Sequence, residues 1–393
     1  MNITKRRVVY IKGGRAIEEA ERLFTLQGEV PNGGPDQFLL AVIDYLDDAE
    51  FRLVSYGQKT EVKIFGDKQA IEYGLRPNNK KLIQRRMAFL MGCIQFFKQT
   101  VQYKPSHILC GLDGPFALIA WLVAKISGSK FIFSVHNALN LSSTALYYKF
   151  SNAILCKQAD AVIVHGPFLK DQAVQLGTQA EHLVEFNSSI DEANKVLIEK
   201  LKNNQQENLD KSVLFVGRIE EDKGAIDLFK AFIKLDLNHA IKLNYIGEGD
   251  ALPFLQQLIN QHNLQDQVYL HGNLPHAEVF NFLHEATVLV TPSQLRFPEG
   301  RCKSAMESFY VGTPVIAPNY GPFPYLVEHE INGLLYETDN INALSAAIQR
   351  ILSDQDLLKR LRIGAKESGH KLIDPGLSFS SAIHLAFEKC LST

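Results

Sequence analysis

Cysteine is scarce in this chain. Cys93, Cys110, Cys156, Cys302 and Cys390 are odd in number, lie far apart and never take the spacing of a metal knuckle. That excludes a disulfide framework or zinc module and favours reduced thiols in a cytosolic compartment. No stretch reaches the roughly 18 consecutive apolar residues of a membrane span, and Met1–Arg7 is polar and basic with no long apolar run behind it. Neither secretion nor integral membrane insertion is expected. HExxH, Walker A and GxSxG patterns are missing as well. Gly247, Glu248 and Gly249 follow an apolar strand, but Leu252 stands where a dinucleotide fingerprint needs glycine.

A large charge excess of one sign is also lacking. The net charge is −2, made of 23 Lys and Arg against 19 Asp and Glu in residues 1–195 (23 − 19 = +4) and 18 against 24 in residues 196–393 (18 − 24 = −6). This imbalance is too small for nucleic-acid binding and fits a peripheral touch on an anionic surface.

What the chain does have is length, apolar content and rhythm. At 393 residues and 46% hydrophobic it is too long for one ordinary core, so two domains are expected. Apolar strands over 8–11, 51–56, 108–110, 130–135 and 161–164 alternate with helices over 35–46 and 115–126. This is the βα pattern of a parallel sheet covered on both faces, whose ligands bind at the carboxyl edge. The polar, Asn/Gln-rich residues 192–211 read as a linker. The rhythm restarts with strands over 213–216, 243–246, 267–270, 287–290 and 333–336. The expected fold is therefore α/β, with a first domain over 1–191, a second over 212–374 and a final helical segment over 375–393.

The positions just after these strands carry the candidate chemistry. Phe297 to Gly321 reads as loop, helix and strand, with Glu299 ahead of the helix and Glu307 on its second turn. Free backbone N–H groups at that helix start suit a phosphate, and two acceptor-only carboxylates suit a ligand rich in hydroxyls. A sugar joined to a nucleoside diphosphate has both parts; the bland alternative is a loop-capping Glu299 and a solvated Glu307. Arg218 and Lys223 share the loop that follows the strand ending at Gly217, where they either bind a diphosphate or pair with Glu220 to Asp222. Gly33 and Gly34 precede Pro35 at a helix start, and Gly13 and Gly14 compete for the same role. His136 follows a strand and reads either as a substrate contact or as a structural histidine. Asp354 and Asp356 form a DxD, but acids are ordinary where a helix opens, and no metal is expected there.

Residues 79–103 read as a basic amphipathic helix, with Lys80, Lys81, Arg85 and Arg86 at its start and Leu82, Met87, Phe89, Leu90, Ile94 and Phe97 behind. Two readings stay open. It covers a sheet with a solvated basic end, or it makes a peripheral contact with the inner face of the cell membrane.

Taken together, VLFVGRIEEDKGAIDLFKAF, IGEGD, Thr291 to Ser293, PEGRCKSAMESFYVGTPVIAP and INGLLYETDN resemble the C-terminal domain of retaining glycosyltransferases of GT-B fold, the group 1 family. VPNGGPDQFL, VHN and ADAVIVHGPFLKDQAVQLG resemble that family's first domain more weakly. The resemblance implies two Rossmann-like domains facing a cleft and a metal-independent, retaining transfer of a hexose-type sugar. The donor would be a nucleoside diphosphate sugar and no cofactor is implied. The acceptor would be a hydroxyl on a saccharide or lipid-linked oligosaccharide in bacterial polysaccharide assembly. It implies that Arg218 and Lys223 neutralise the diphosphate, Glu307 binds ribose hydroxyls, Glu299 holds sugar hydroxyls and His136 lies near the sugar. Gly33, Gly34, Gly217, Gly300, Arg301, Cys302 and Lys303 would complete the donor site. Arg301 and Lys303, two cations flanking Cys302, fit an acidic sugar such as a uronate or tighter phosphate binding. The rival readings are a sugar-nucleotide epimerase or hydrolase on the same fold, or an inactive scaffolding member.

Overall fold

The computed structural model describes residues 6–25, 35–46, 49–75, 82–141, 144–187, 192–203, 211–235, 241–373 and 375–391. The chain divides into two compact units. Unit 1 is Met1–Phe186 with Leu377–Thr393, and unit 2 is Asn187–Gly376.

Unit 1 begins β1 (Arg7–Ile11), α1 (Ala16–Thr25), α2 (Pro35–Tyr45), β2 (Glu50–Tyr56), β3 (Glu61–Phe65), β4 (Lys68–Tyr73) and α3 (Leu82–Tyr103). It continues β5 (His107–Cys110), α4 (Gly114–Ser127), β6 (Lys130–Val135), α5 (Leu146–Gln158), β7 (Ala161–His165), α6 (Pro167–Gln175) and β8 (Leu183–Phe186). The strands form one sheet in the order β3-β4-β2-β1-β5-β6-β7-β8. All pairs are parallel except the β3/β4 hairpin. Parallel strands need crossover helices, and those helices cover both faces, so the central strands are apolar throughout: β5 and β7 are buried at every residue. Phe96 of α3, Phe116 of α4 and Leu155 of α5 pack on one face. Ala16 of α1 and Leu39 of α2 pack on the other, and a fully buried Leu or Phe side chain contributes about 1.5–3 kcal/mol.

Unit 2 opens with α7 (Glu192–Asn203) and continues β9 (Ser212–Val216), α8 (Ala225–Phe232), β10 (Lys242–Ile246), α9 (Leu252–Gln261), β11 (Val268–Leu270), α10 (His276–Glu285) and β12 (Val288–Val290). It ends with α11 (Lys303–Tyr310), β13 (Val315–Pro318), β14 (Gly333–Tyr336), α12 (Ile341–Ser353) and α13 (Gln355–Leu372). Its six strands are all parallel, in the order β11-β10-β9-β12-β13-β14. The chain leaves β9 toward β10 on one side and returns to β12 on the other. A crevice opens at such a reversal, beyond the carboxyl ends of the two strands.

The expectation of a linker over 192–211 is corrected in part. Residues 192–203 are helical, Ile198 is fully buried, and Leu197 and Leu201 pack with it against Phe280 of α10. The polar composition belongs to the outer face of an amphipathic helix, which a composition argument mistakes for a tether. Residues 204–210 lie outside the described residues. The last helix, α14 (Phe379–Leu391), returns to unit 1, where Phe379, Ile383 and Phe387 join the core with α1 and α2.

Candidate functional site

The loops that follow β9 and β12 meet at the reversal point of unit 2. Gly224 closes the first loop at φ +74°, and a Cβ there would stand 1.9 Å from the carbonyl oxygen of Pro292 in the second. Only glycine lets the two backbones approach so closely. The Gln294 amide then donates to the Asp222 carbonyl at 2.9 Å. From beyond β13, the Tyr320 hydroxyl donates to the Gln294 carbonyl at 2.6 Å, fixing the second loop from its other side.

This joint sets Lys223 against Glu299. Lys223 Nζ donates to Glu299 Oε2 at 2.6 Å, and Ser293 Oγ donates to the same oxygen at 3.1 Å. The Glu299 side chain is 8% exposed and that of Lys223 19%, so the pair is shielded from water and salt and its geometry is held. The Phe297 ring lies 4.1 Å from Lys223 Nζ and 5.7 Å from the Arg218 guanidinium. Arg218 itself is 60% exposed and pairs with Glu220 at 2.6 Å. Of the two cations expected on this loop, one is built into the site and the other stands at its mouth with a surface partner. Gly217 leads into Arg218 and donates its amide to the Ile246 carbonyl at 3.0 Å, while Gly300 is buried beside Glu299.

The helix expected between Glu299 and Gly321 forms over Lys303–Tyr310, with Cys302 at its N-cap position. Glu307, on the second turn, is buried rather than solvated. His276 Nε2 donates to Glu307 Oε1 at 2.8 Å, and Lys303 Nζ, one turn back on the same helix, is 3.6 Å from that oxygen. Burial pushes the Cys302 thiol up to about 11, helped by the charge of Glu299, so it remains protonated and uncharged near neutrality. Arg301 is buried, and its Nε donates to Met306 Sδ at 3.2 Å. Of the two cations that flank Cys302, Arg301 packs toward α11 and Lys303 turns to Glu307.

His136 belongs to unit 1. It is half-buried, with Nε2 3.0 Å from Ser134 Oγ and its ring 4.8 Å from that of Phe38 and 6.0 Å from that of Phe379. Burial, reinforced by Lys12, pushes it down to about 4, so it is neutral near pH 7. Lys12 lies at the carboxyl end of β1 and forms a buried ion pair with Glu19, a residue pair that strand and helix patterning did not single out. Gly33 and Gly34 lie outside the described residues. Asp354 accepts the Leu357 amide at 2.9 Å as the cap of α13. Among the described residues no three His, Cys, Asp or Glu side chains gather to hold a metal ion.

Sequence reasoning missed His276 and the side-chain roles of Ser293 and Phe297. Thirty-one positions separate His276 from Glu307, and no periodicity links α10 to α11. Ser293 had a usable signal, since it lies just beyond β12 at the carboxyl edge.

Residues 197–368 match the family described as Glycosyl transferases group 1. An uncharacterized glycosyltransferase of Methanocaldococcus jannaschii is 31% identical over 145 residues, which are 37% of this chain and 36% of that relative. The chain thus matches little more than a third of that relative's length. Sucrose-phosphate synthase from Thermosynechococcus elongatus superposes with a TM-score of 0.72 at 19% identity, covering 99% of this chain and 100% of the other. Anabaena HepE, solved in complex with UDP and glucose, superposes with a TM-score of 0.69 at 15% identity over 99% and 100% of the two chains. By fold the chain is a GT-B protein, and residues 197–368 of its second unit are similar to the glycosyl transferases group 1 family.

Proposed function

We propose that the protein is a metal-independent, retaining glycosyltransferase that moves a hexose-type sugar from a nucleoside diphosphate sugar to a hydroxyl acceptor. The acceptor is a growing polysaccharide or a lipid-linked oligosaccharide of bacterial type. The observation that carries this reading is the pairing of Lys223 with Glu299 at the reversal of the unit 2 sheet, with the buried Glu307 on the second turn of the helix that follows. A fold neighbour solved with UDP and glucose supports a nucleotide-sugar donor.

Breaking the bond between the anomeric carbon and the diphosphate moves an electron pair onto a phosphate oxygen. Cations already in place at that oxygen lower the barrier, because they need no rearrangement as charge develops. Lys223 supplies one such charge, and Arg218 adds a second by exchanging Glu220 for phosphate. Glu307 receives the ribose hydroxyls, and Glu299 receives hydroxyls of the transferred sugar. The acceptor oxygen attacks the anomeric carbon from the leaving group's own face, and its proton passes to the departing phosphate oxygen. Glu299 orients and stabilises the sugar and forms no covalent bond to it.

Thermal-shift measurement across UDP-, GDP- and ADP-sugars tests the donor, since a ligand that binds only the folded state raises Tm. One nucleotide sugar is expected to raise Tm, and no shift with any of them overturns the proposal. Product analysis with that donor then separates the reactions: sugar found on an acceptor supports transfer, whereas free sugar or an altered nucleotide sugar as the sole product overturns it. A glycosyl adduct trapped on Glu299 overturns the noncovalent step.

A further inference from the structure

Helix α3 covers the sheet of unit 1 with Cys93, Phe96 and Thr100, all buried. A different face of the same helix carries Ile83, Met87, Leu90, Met91 and Ile94, all exposed, with Ile83 at 76% and Met91 at 66%. Spacings of three, four and seven put these five on one stripe. Soluble surfaces scatter such side chains singly, and a contiguous stripe marks a contact. The chain is also free of Asp and Glu from Tyr73 to Leu112, while Arg76, Lys80, Lys81, Arg85, Arg86, Lys98 and Lys104 lie in that span.

A second exposed group extends the surface. Helix α5 opens with Leu146, Tyr147 and Phe150, and Leu146 is 84% exposed. Both α3 and α5 pack on α4, and both begin after parallel strands end, α3 after β4 and α5 after β6. Their exposed starts therefore share the carboxyl-edge end of one helical layer.

We infer that this end of unit 1 docks on an anionic lipid bilayer, with the α3 stripe entering the headgroup boundary and the exposed Arg85 and Arg86 of the same helix meeting lipid phosphates. An apolar face flanked by Lys and Arg and lacking acids is what an interfacial helix needs, since burial and attraction then act together. A second copy of the chain fits less well, because a self-contact through α3 brings two basic helices together with no acid on either to receive Arg85 and Arg86. Among the described residues no helix is long and apolar enough to cross a membrane, and the contact inferred is peripheral. The inference stands apart from the proposed transfer reaction, because lipid binding needs no sugar donor.

Co-sedimentation of the full chain with phosphatidylcholine vesicles, and with vesicles containing about one third phosphatidylglycerol, tests it. Binding to the anionic vesicles is expected to exceed binding to the neutral ones by about tenfold or more. L90E/M91E should abolish binding to both, and R85E/R86E should remove the anionic preference. Because all four side chains are exposed, unchanged thermal melting of the variants shows that folding is intact. The proposal is overturned by no binding to either vesicle, by equal binding to both, or by variants that bind as the parent does. It is also overturned by self-association without lipid that L90E/M91E abolishes while no vesicle binding is seen. Donor-induced thermal shifts of the same variants keep a failure here distinct from a failure of the transfer reaction.

Discussion

His276 Nε2 donates to Glu307 Oε1 across 2.8 Å, and both side chains are buried. The histidine at the start of α10 thereby fixes the rotamer of the carboxylate on α11 that is proposed to receive the ribose. His276→Ala leaves a buried oxygen without this donor, which costs about 1–3 kcal/mol of folding stability. Donor KM should rise about tenfold while kcat changes less, as expected when ground-state and transition-state binding are lost together. His276→Gln keeps an N–H in reach and should recover part of both effects. Urea unfolding and donor-dependent kinetics read them, and a variant with unchanged KM removes His276 from the site.

Lys223 and Glu299 should behave as a coupled pair. Lys223→Ala strands a shielded carboxylate, at a cost of up to about 3–5 kcal/mol if the site stays closed to water. Catalysis should fall about 100- to 1,000-fold, the usual range for losing one preorganised charge at a leaving group. Adding Glu299→Gln to Lys223→Ala removes the stranded charge, so the double variant should unfold at higher urea than Lys223→Ala alone while remaining inactive. Additive losses in the double-mutant cycle would show that the 2.6 Å contact carries no coupling.

Much of this was legible in the chain because parallel strands buried on both faces must be apolar runs. The strands at 130–135 and 333–336 were bounded correctly for that reason. Glu299 and Lys223 could be singled out because each follows a strand end, where ligands of such sheets bind. The β3/β4 hairpin was missed: Glu61–Phe65 alternates polar and apolar residues at the sheet edge, and only Gly66 and Asp67 mark its turn. The partner choice of Arg301, Lys303 and His276 was not legible either. Those contacts depend on how α10 and α11 pack, and side-chain direction across two helices leaves no period in the sequence.

Gly224 offers a test of the joint between the two loops. Gly128 is also left-handed, at φ +70°, but a Cβ there meets nothing within 4 Å. Gly128→Ala should therefore lose only the conformational term, about 1–2 kcal/mol. Gly224→Ala adds a contact of 1.9 Å with the Pro292 carbonyl, which forces the loops apart. It should lower Tm more than Gly128→Ala and also abolish the donor-induced thermal shift. Equal Tm losses with donor binding intact would mean that the loops adjust independently.

Two histidines of unit 1, His107 and His136, should make stability depend on acid. Burial pushes both His136 and His107 down to about 4 from an ordinary value near 6.5. Between those values the unfolded chain holds a proton that the folded chain does not, so stability rises with pH through this window. The contribution is complete above about pH 6.5 and is lost progressively as pH falls toward 4. His136→Gln and His107→Gln should each flatten the dependence of Tm on pH between about 4 and 6.5, because neither replacement can take up a proton there. His136 makes the sharper case, since its ring sits among Phe38, Phe186 and Phe379 and a cation there would lose its hydration. Melting curves for the parent and both variants at pH 5 and pH 7.5 decide it. If His136→Gln loses as much Tm on acidification as the parent, the ring is already solvated in the folded chain, and the aromatic surroundings do not hold it neutral.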